Sequence, residues 1–293
     1  MVTQAPAVTP SLASRSECLH DVTVDGWKRA YFKRATAAVL GGDPLVEDIR
    51  SADWRYFLPL DRKKDALVVG VGGGTIPMAL ADHCRMVVGA DQDRESLRAL
   101  CARTQEQGRH NVRPVLLSKR MGLPFAPGSF DSVVATAAGT GTYDGASLRR
   151  FIEHAHALLK PAGVLYLTVG NRLDAQRLFR PARAAGASGP CTLGGYKRLL
   201  QAAGFVRLRL YAPLPRHDGI PLFHVPLEHP QALRFFLRNV FPLFETVSPE
   251  VKRRYAVEYA AAKVGVRLAL ALKLTGLMKL FVPGFGILAE KAA

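Results

Sequence analysis

The sequence predicts an α/β protein built on a doubly wound, parallel sheet. Short apolar runs rich in β-branched residues recur at 66–71, 86–91, 112–117, 131–136 and 164–169. Helical patterns fall between several of them, as at 75–83 and 93–107. The first run breaks into glycines, LVVGVGGGTIPMALA at residues 67–81, as a strand does when it turns tightly into a helix. Strands joined by helical crossovers form a parallel sheet that must be covered on both faces.

The segment from Asp25 to Leu40 has helical spacing and is stopped by Gly41 and Gly42. From Ser147 to Lys160, Leu148, Phe151, Ile152, Ala155, Leu158 and Leu159 line one face of a helix, at offsets of three, four and seven. Next come a helix in GYKRLLQAAGF, with Gly204 as its left-handed cap, and a strand in VRLRLYA. Proline, aromatics and histidines then crowd residues 213–230, followed by helical stretches at 231–241 and from Ser248, and FGILAEK closes the chain as a last strand.

The 293 residues are 48% hydrophobic and 22% charged, which fits a folded globule and excludes global disorder. Residues 1–16 lack a basic start and a continuous apolar core, so they read as a leader without secretory character, with a cytoplasmic location as the default. Cys18, Cys84, Cys101 and Cys191 are too widely spaced for a zinc knuckle or a disulfide frame, and no metal is expected. Charge is uneven: residues 1–170 hold 21 Lys and Arg against 17 Asp and Glu, whereas residues 171–293 hold 19 against 7. A basic C-terminal portion suits an anionic acceptor or an acidic surface.

The glycine loop does not by itself select a ligand. A dinucleotide fold wants a third glycine where this chain has Thr75, and the glycines at 70, 72 and 74 instead allow close backbone approach to a less bulky group. Asp91, closing the second strand, is placed to accept hydrogen bonds from ribose hydroxyls, as the equivalent acid does in dinucleotide folds.

Two later stretches add to these: LPFAPGSFDSVVATAAG at 123–139 and LLKPAGVLYLTVGN at 158–171. With the loop and Asp91, the set resembles the class I S-adenosylmethionine-dependent methyltransferases of the small-molecule, type 11-like branch, over residues 62–212. The resemblance implies a Rossmann-like sheet of seven strands with the last antiparallel, and S-adenosyl-L-methionine as cofactor with S-adenosylhomocysteine as product. It places the donor's methionine and ribose against Gly70, Gly72, Gly73 and Gly74, and its ribose hydroxyls on Asp91. Gln92 and the backbone of Arg120 and Met121 fall beside the adenine, and Thr136 follows the fourth strand. The chain departs from the family at Val68 and Lys119, where acids are expected. Asp131 reads as a structural residue at the start of its strand.

The organisation that follows is an N-terminal leader and helical cap (1–61), a Rossmann-like core (62–212), a mainly helical lid inserted between strands six and seven (213–282) and the final strand (283–293). Chain direction puts the lid on the carboxyl edge of the sheet, where the acceptor binds. Its candidate bases are His217, Asp218, His224, Glu228 and His229. In PRHDG, His217 oriented by Asp218 is the favoured catalytic pair, with Arg216 available to an anionic acceptor; the same residues also make good turn chemistry. Tyr143 and Asp144 follow the fourth strand near the expected reaction centre, and His154 and His156 read as a solvated helix face.

The function expected is O-methylation of a small molecule, in natural-product or glycolipid biosynthesis. The alternatives are a non-catalytic scaffold on the same fold and a membrane-peripheral enzyme acting on acidic lipid-linked substrates. Nucleic-acid methylation is disfavoured, because ATAAGTG stands where an amino-methylating motif would follow the fourth strand, and Cys191 follows the fifth strand instead of the fourth. In VGVRLALALKLTGLMKLFVPGFGILA, Arg267, Lys273 and Lys279 interrupt any spanning run. On one continuous helix these charges fall all round the axis, which leaves no amphipathic face, although peripheral membrane contact stays open.

Overall fold

The computed structural model describes residues 49–118, 123–136, 143–174, 191–214, 221, 223–241, 260 and 263–293. The expected helix at 25–40 lies outside them.

Alternation with a period of two builds the centre of the sheet. Strand β1 (Asp65–Val69) is buried throughout, with Leu67 and Val69 facing one core and Ala66 and Val68 the other. After it come α1 (Thr75–Ala81), β2 (Met86–Asp91), α2 (Arg94–Glu106), β3 (Val112–Leu116) and β4 (Phe130–Ala135). The chain continues through α3 (Gly145–Leu158), β5 (Leu159–Gly170), α4 (Leu193–Ala202) and β6 (Phe205–Leu214).

Helix starts are set by local chemistry. Asp93 caps α2 by accepting from Ser96 N at 3.0 Å, and Asp144 caps α3 by accepting from Ser147 N at 2.7 Å. The apolar stripe expected on α3 is buried at Leu148, Phe151, Ile152, Ala155 and Leu158. His156, expected in solvent, is instead half-buried edge-on against Phe205, ring centroids 5.0 Å apart, and burial lowers its pKa. The start of β6 folds back onto α3 there, a contact that helix spacing alone does not show.

Strand order is β3-β2-β1-β4-β5-β8-β6-β7, with β8 (Gly284–Lys291) antiparallel to both neighbours, β5 and β6. Seven strands follow the expected arrangement. The eighth is β7 (Phe223–Pro226), which comes from the insertion and pairs antiparallel with the outer edge of β6. The described part of the insertion also holds α5 (Pro230–Phe235), a π-helical turn (Phe236–Val240), α6 (263–271) and α7 (Thr275–Met278), so it is mixed in structure.

One face of the sheet packs α3, α4 and the insertion. The other packs α1, α2 and a 3-10 helical segment, Ile49–Phe57. That segment is pinned by two stacked pairs, Trp54 on Tyr166 at 4.2 Å and Phe57 on Tyr211 at 4.3 Å.

At the amino edge, buried Asp65 takes a two-pronged ion pair from Arg85. Its backbone N donates to Asp131 Oδ2 at 2.9 Å, and Lys160 Nζ donates to that same oxygen at 2.7 Å. Asp131 thus ties β1 to β4 on the edge opposite the glycine loop, in the structural role read from its place in the chain. Cys84, Cys101 and Cys191 are free thiols, and burial drives Cys84 up to about 12.

Candidate functional site

Strands β1, β2 and β4 end level with one another: Val69 pairs with Ala90 on one side and Ala135 on the other. The sheet's order reverses across β1, and the crevice outside the carboxyl ends at such a point is where open α/β sheets bind ligands. Gly70, Asp91 and Thr136 are the next residues along these strands.

The glycines serve different purposes. Gly70, Gly72 and Gly74 have φ of 81°, 53° and 84°, a region in which side chains are strained. A Cβ on Gly72 would meet nothing within 4 Å, so the loop faces open space there. At Gly74 a Cβ would lie 3.1 Å from Leu100 Cδ1 and 3.3 Å from Leu100 Cα, so this glycine lets α2 pack against the loop. Thr75, where a dinucleotide loop would have glycine, is buried and accepts from Arg103 Nη1 at 3.1 Å. The same guanidinium nitrogen donates to the Gly73 carbonyl at 2.8 Å. Arg103 therefore braces the loop from the last turn of α2; no motif spacing marked it.

Asp91 joins the loop to β2. Oδ2 accepts from Val71 N at 2.9 Å and Oδ1 from Asp93 N at 2.9 Å. Each carboxylate oxygen offers two acceptor sites, so both keep one for a ligand's donors. Gln92 beside it is exposed. Thr136, at the end of β4, is buried.

Tyr143, two residues before α3, is half-buried against Phe151, ring centroids 5.6 Å apart. Burial first and the Asp91 charge second raise its pKa, so its hydroxyl stays protonated at neutral pH. Asp144 is spent on the α3 cap, and Ser147 lowers its pKa through hydrogen bonds.

Val68, where the resembled family carries an acid, is fully buried on the opposite face of β1, in the cluster with Trp54, Leu58, Met78 and Leu80. It does not line the crevice.

Gly170, the end of β5, pairs with Gly284, the start of β8, so the chain returns from the insertion at the carboxyl edge. Asn171 fixes that return: its Nδ2 donates to the carbonyls of Leu280 at 2.7 Å and Val282 at 2.8 Å, and its Oδ1 accepts from Leu173 N at 3.1 Å. Tyr196 adds a hydrogen bond to the Gly170 carbonyl at 2.8 Å. Asn171 closes the stretch LLKPAGVLYLTVGN and Tyr196 lies in the helix of GYKRLLQAAGF, but neither was marked as a site residue.

His224 lies on β7 edge-on to Phe57 at 5.4 Å, and its Nε2 has no hydrogen-bond partner among the described residues. Burial lowers its pKa to about 4, so the ring is neutral at pH 7. Glu228 and His229 are exposed at the start of α5. His217, Asp218, Arg120 and Met121 lie outside the described residues, as do Lys119 and Arg216. Among the described residues no group of His, Cys, Asp and Glu has the makings of a metal site, and no helix is long and apolar enough to cross a membrane.

A family model described as "Methyltransferase domain" matches residues 66–163, about a third of the chain and the part that contains the glycine loop, Asp91 and Thr136. No curated protein matches the sequence. Among solved structures the chain is similar to phosphoethanolamine N-methyltransferase 2 of Haemonchus contortus in complex with S-adenosyl-L-methionine. The identity is 16% and the TM-score 0.53, over 98% of this chain and 61% of that one. It is also similar to the 4+2 cyclase SpnF, with 19% identity and a TM-score of 0.50, over 84% of this chain and 82% of that one. At such identities the likeness speaks for the fold. Residues 66–163 thus match a methyltransferase-domain model, on a sheet whose fold is shared with solved methyltransferases.

Proposed function

We propose that this protein transfers the methyl group of S-adenosylmethionine to a hydroxyl of a small-molecule acceptor in natural-product or glycolipid biosynthesis. The observation that carries the reading is the Asp91 carboxylate, held by two backbone N–H groups beside an open glycine loop at the switch point of the sheet. The residues present fit the donor. Gly70, Gly72, Gly73 and Gly74 offer backbone to its methionine and ribose, Asp91 offers lone pairs to its ribose hydroxyls, and exposed Gln92 is available to its adenine; the backbone of Arg120 and Met121 is assigned to the adenine from the resemblance alone. Thr136 follows β4 at the same edge. With Val68 in the core, the donor's ammonium is left to backbone carbonyls.

Once bound, the donor supplies an already activated methyl group, so the chain's work is to hold the acceptor in line and exclude water. A hydroxyl acceptor must also lose a proton. We assign that task to His217 oriented by Asp218, on the insertion that chain direction brings to this edge. Tyr143, held protonated, is suited to donate a hydrogen bond to the acceptor and not to act as its base.

Titration calorimetry with S-adenosylmethionine and S-adenosylhomocysteine tests the donor site. Binding of both is expected; binding of neither at millimolar concentration overturns the proposal. Loss of turnover with retained donor binding in His217→Ala tests the base.

A second reading is a protein that binds the donor without transferring its methyl group, and Val68 favours it, since the position of the family's acid is apolar and buried in the core. Folds of this kind host unrelated chemistries. Donor binding without methyl transfer to any hydroxyl, amine or carbon acceptor in a broad panel would favour this reading.

A further inference from the structure

The helix-wheel expectation for residues 267–279 assumed one continuous helix, and the structure breaks it. Helix α6 ends in a Schellman cap: Lys273 N donates to the Leu270 carbonyl at 3.3 Å and Leu274 N to the Ala269 carbonyl at 2.8 Å. Lys273 takes the left-handed position with φ of 56°. The chain turns there, and Lys273 and Lys279 leave the axis on which Arg267 sits.

What remains is a two-faced helix. Val266 and Ala269 are buried, while Val264, Leu268 and Leu272, spaced by four, are 58%, 55% and 60% exposed. Beyond the turn, Leu274, Leu277 and Phe281 are exposed as well, and Thr275 is buried. Half of the large exposed apolar side chains among the described residues thus fall between 264 and 281. Soluble surfaces rarely gather so many unless something covers them.

We infer that this outward face of residues 263–281 docks on an anionic lipid bilayer. Arg267, Lys273 and Lys279 stand among the exposed apolar side chains, and no Asp or Glu occurs between Glu258 and Glu290. Aliphatic side chains flanked by cations, with no acid, are what binds at the boundary between acyl chains and anionic headgroups. A protein partner fits less well. Interfaces between proteins carry regular hydrogen bonds and favour several aromatic anchors, but within residues 263–281 the uncharged polar side chain, Thr275, is buried and Phe281 is the single exposed aromatic. A second copy would set these cations against their own kind.

The face is tied rigidly to the sheet. Asn171, at the end of β5, holds the carbonyls of Leu280 and Val282. Docking therefore brings the carboxyl edge to the membrane surface. That a lipid-linked acceptor is then methylated there rests on the proposed function; the docking itself does not.

The test is co-sedimentation of the full chain with phosphatidylcholine vesicles, with and without about 30% phosphatidylglycerol. Binding is expected to the anionic vesicles only, and to weaken as salt is raised. The double variant Leu268→Asp/Leu272→Asp changes exposed positions, so it should melt like the parent and bind at least roughly tenfold more weakly. Arg267→Glu/Lys273→Glu should do the same, whereas Arg62→Glu/Lys63→Glu, at the exposed amino edge before β1, should bind like the parent. The inference is overturned if the parent fails to bind anionic vesicles, or if Leu268→Asp/Leu272→Asp binds them equally well. It is also overturned if the parent forms a dimer in gel filtration that the leucine substitutions dissociate, with no vesicle binding. Calorimetry with S-adenosylhomocysteine in the same variants separates this outcome from failure of the donor site, since the face lies outside that site.

Discussion

Replacing Asp91 with alanine should damage stability and binding separately, because its carboxylate braces the loop and, in the proposed function, takes the donor's ribose hydroxyls. In the fold it accepts from Val71 N and Asp93 N, both at 2.9 Å. Val71 is buried, so its N–H is left without an acceptor, which costs about 2 kcal/mol, or a fall in Tm of roughly 5 °C for a chain of this size. The Asp93 N–H is more accessible and turns to water. In the complex, two ribose hydroxyls lose a charged acceptor; at about 1.5 kcal/mol each, the loss is about 3 kcal/mol, or on the order of a hundredfold in Kd. The assays are calorimetric titration with S-adenosylhomocysteine and thermal melts with and without it. Asp91→Asn keeps the shape but offers one acceptor oxygen in place of two, so it should fall between parent and alanine in both. An Asp91→Ala protein that melts lower yet binds S-adenosylhomocysteine like the parent would refute the ribose role. One that binds weakly with an unchanged Tm would refute the strut between loop and strand.

Gly89→Ala sets a Cβ 2.6 Å from Leu100 Cδ2 and 3.0 Å from Val71 Cγ1. Overpacking of about 1–3 kcal/mol should lower Tm and, through Val71, weaken S-adenosylhomocysteine binding, with Leu100→Ala partly restoring both. Val68→Asp buries a carboxylate among Trp54, Leu58 and Met78 and should cost at least about 4 kcal/mol, read as a large drop in Tm or in soluble yield; a stable variant with tighter donor binding would show that this position faces the ligand. His224 is neutral in the folded state down to about pH 4, whereas its unperturbed value is 6.5. The unfolded chain binds more protons across that window, so stability should fall as pH drops through it, by at most about 3 kcal/mol, and Tm against pH should be flatter in His224→Phe.

Much of the fold was legible because the signals that carry it are local. The apolar runs in LVVG and MVVGAD and the stripe on α3 act within a few residues of chain. The loop's glycines were legible for the same reason, since positive φ is a property of single residues. The side chains that hold the site were not. Arg103 reaches Gly73 across 30 positions of sequence, and Asn171 reaches Leu280 across 109. No spacing rule covers such distances.

The same boundary separates the remaining readings. The sequence alone determined that strands alternate with helices, that the first loop needs glycine and that an acid closes the second strand, because backbone preference and side-chain period are written residue by residue. Tertiary structure decided that Val68 points into the core, that His156 packs on Phe205 and that β7 extends the sheet. It also decided that α6 stops before Lys273 and turns Val264, Leu268 and Leu272 outward. Each of these depends on which surface another part of the chain brings up against the residue, and burial is fixed only when both surfaces meet.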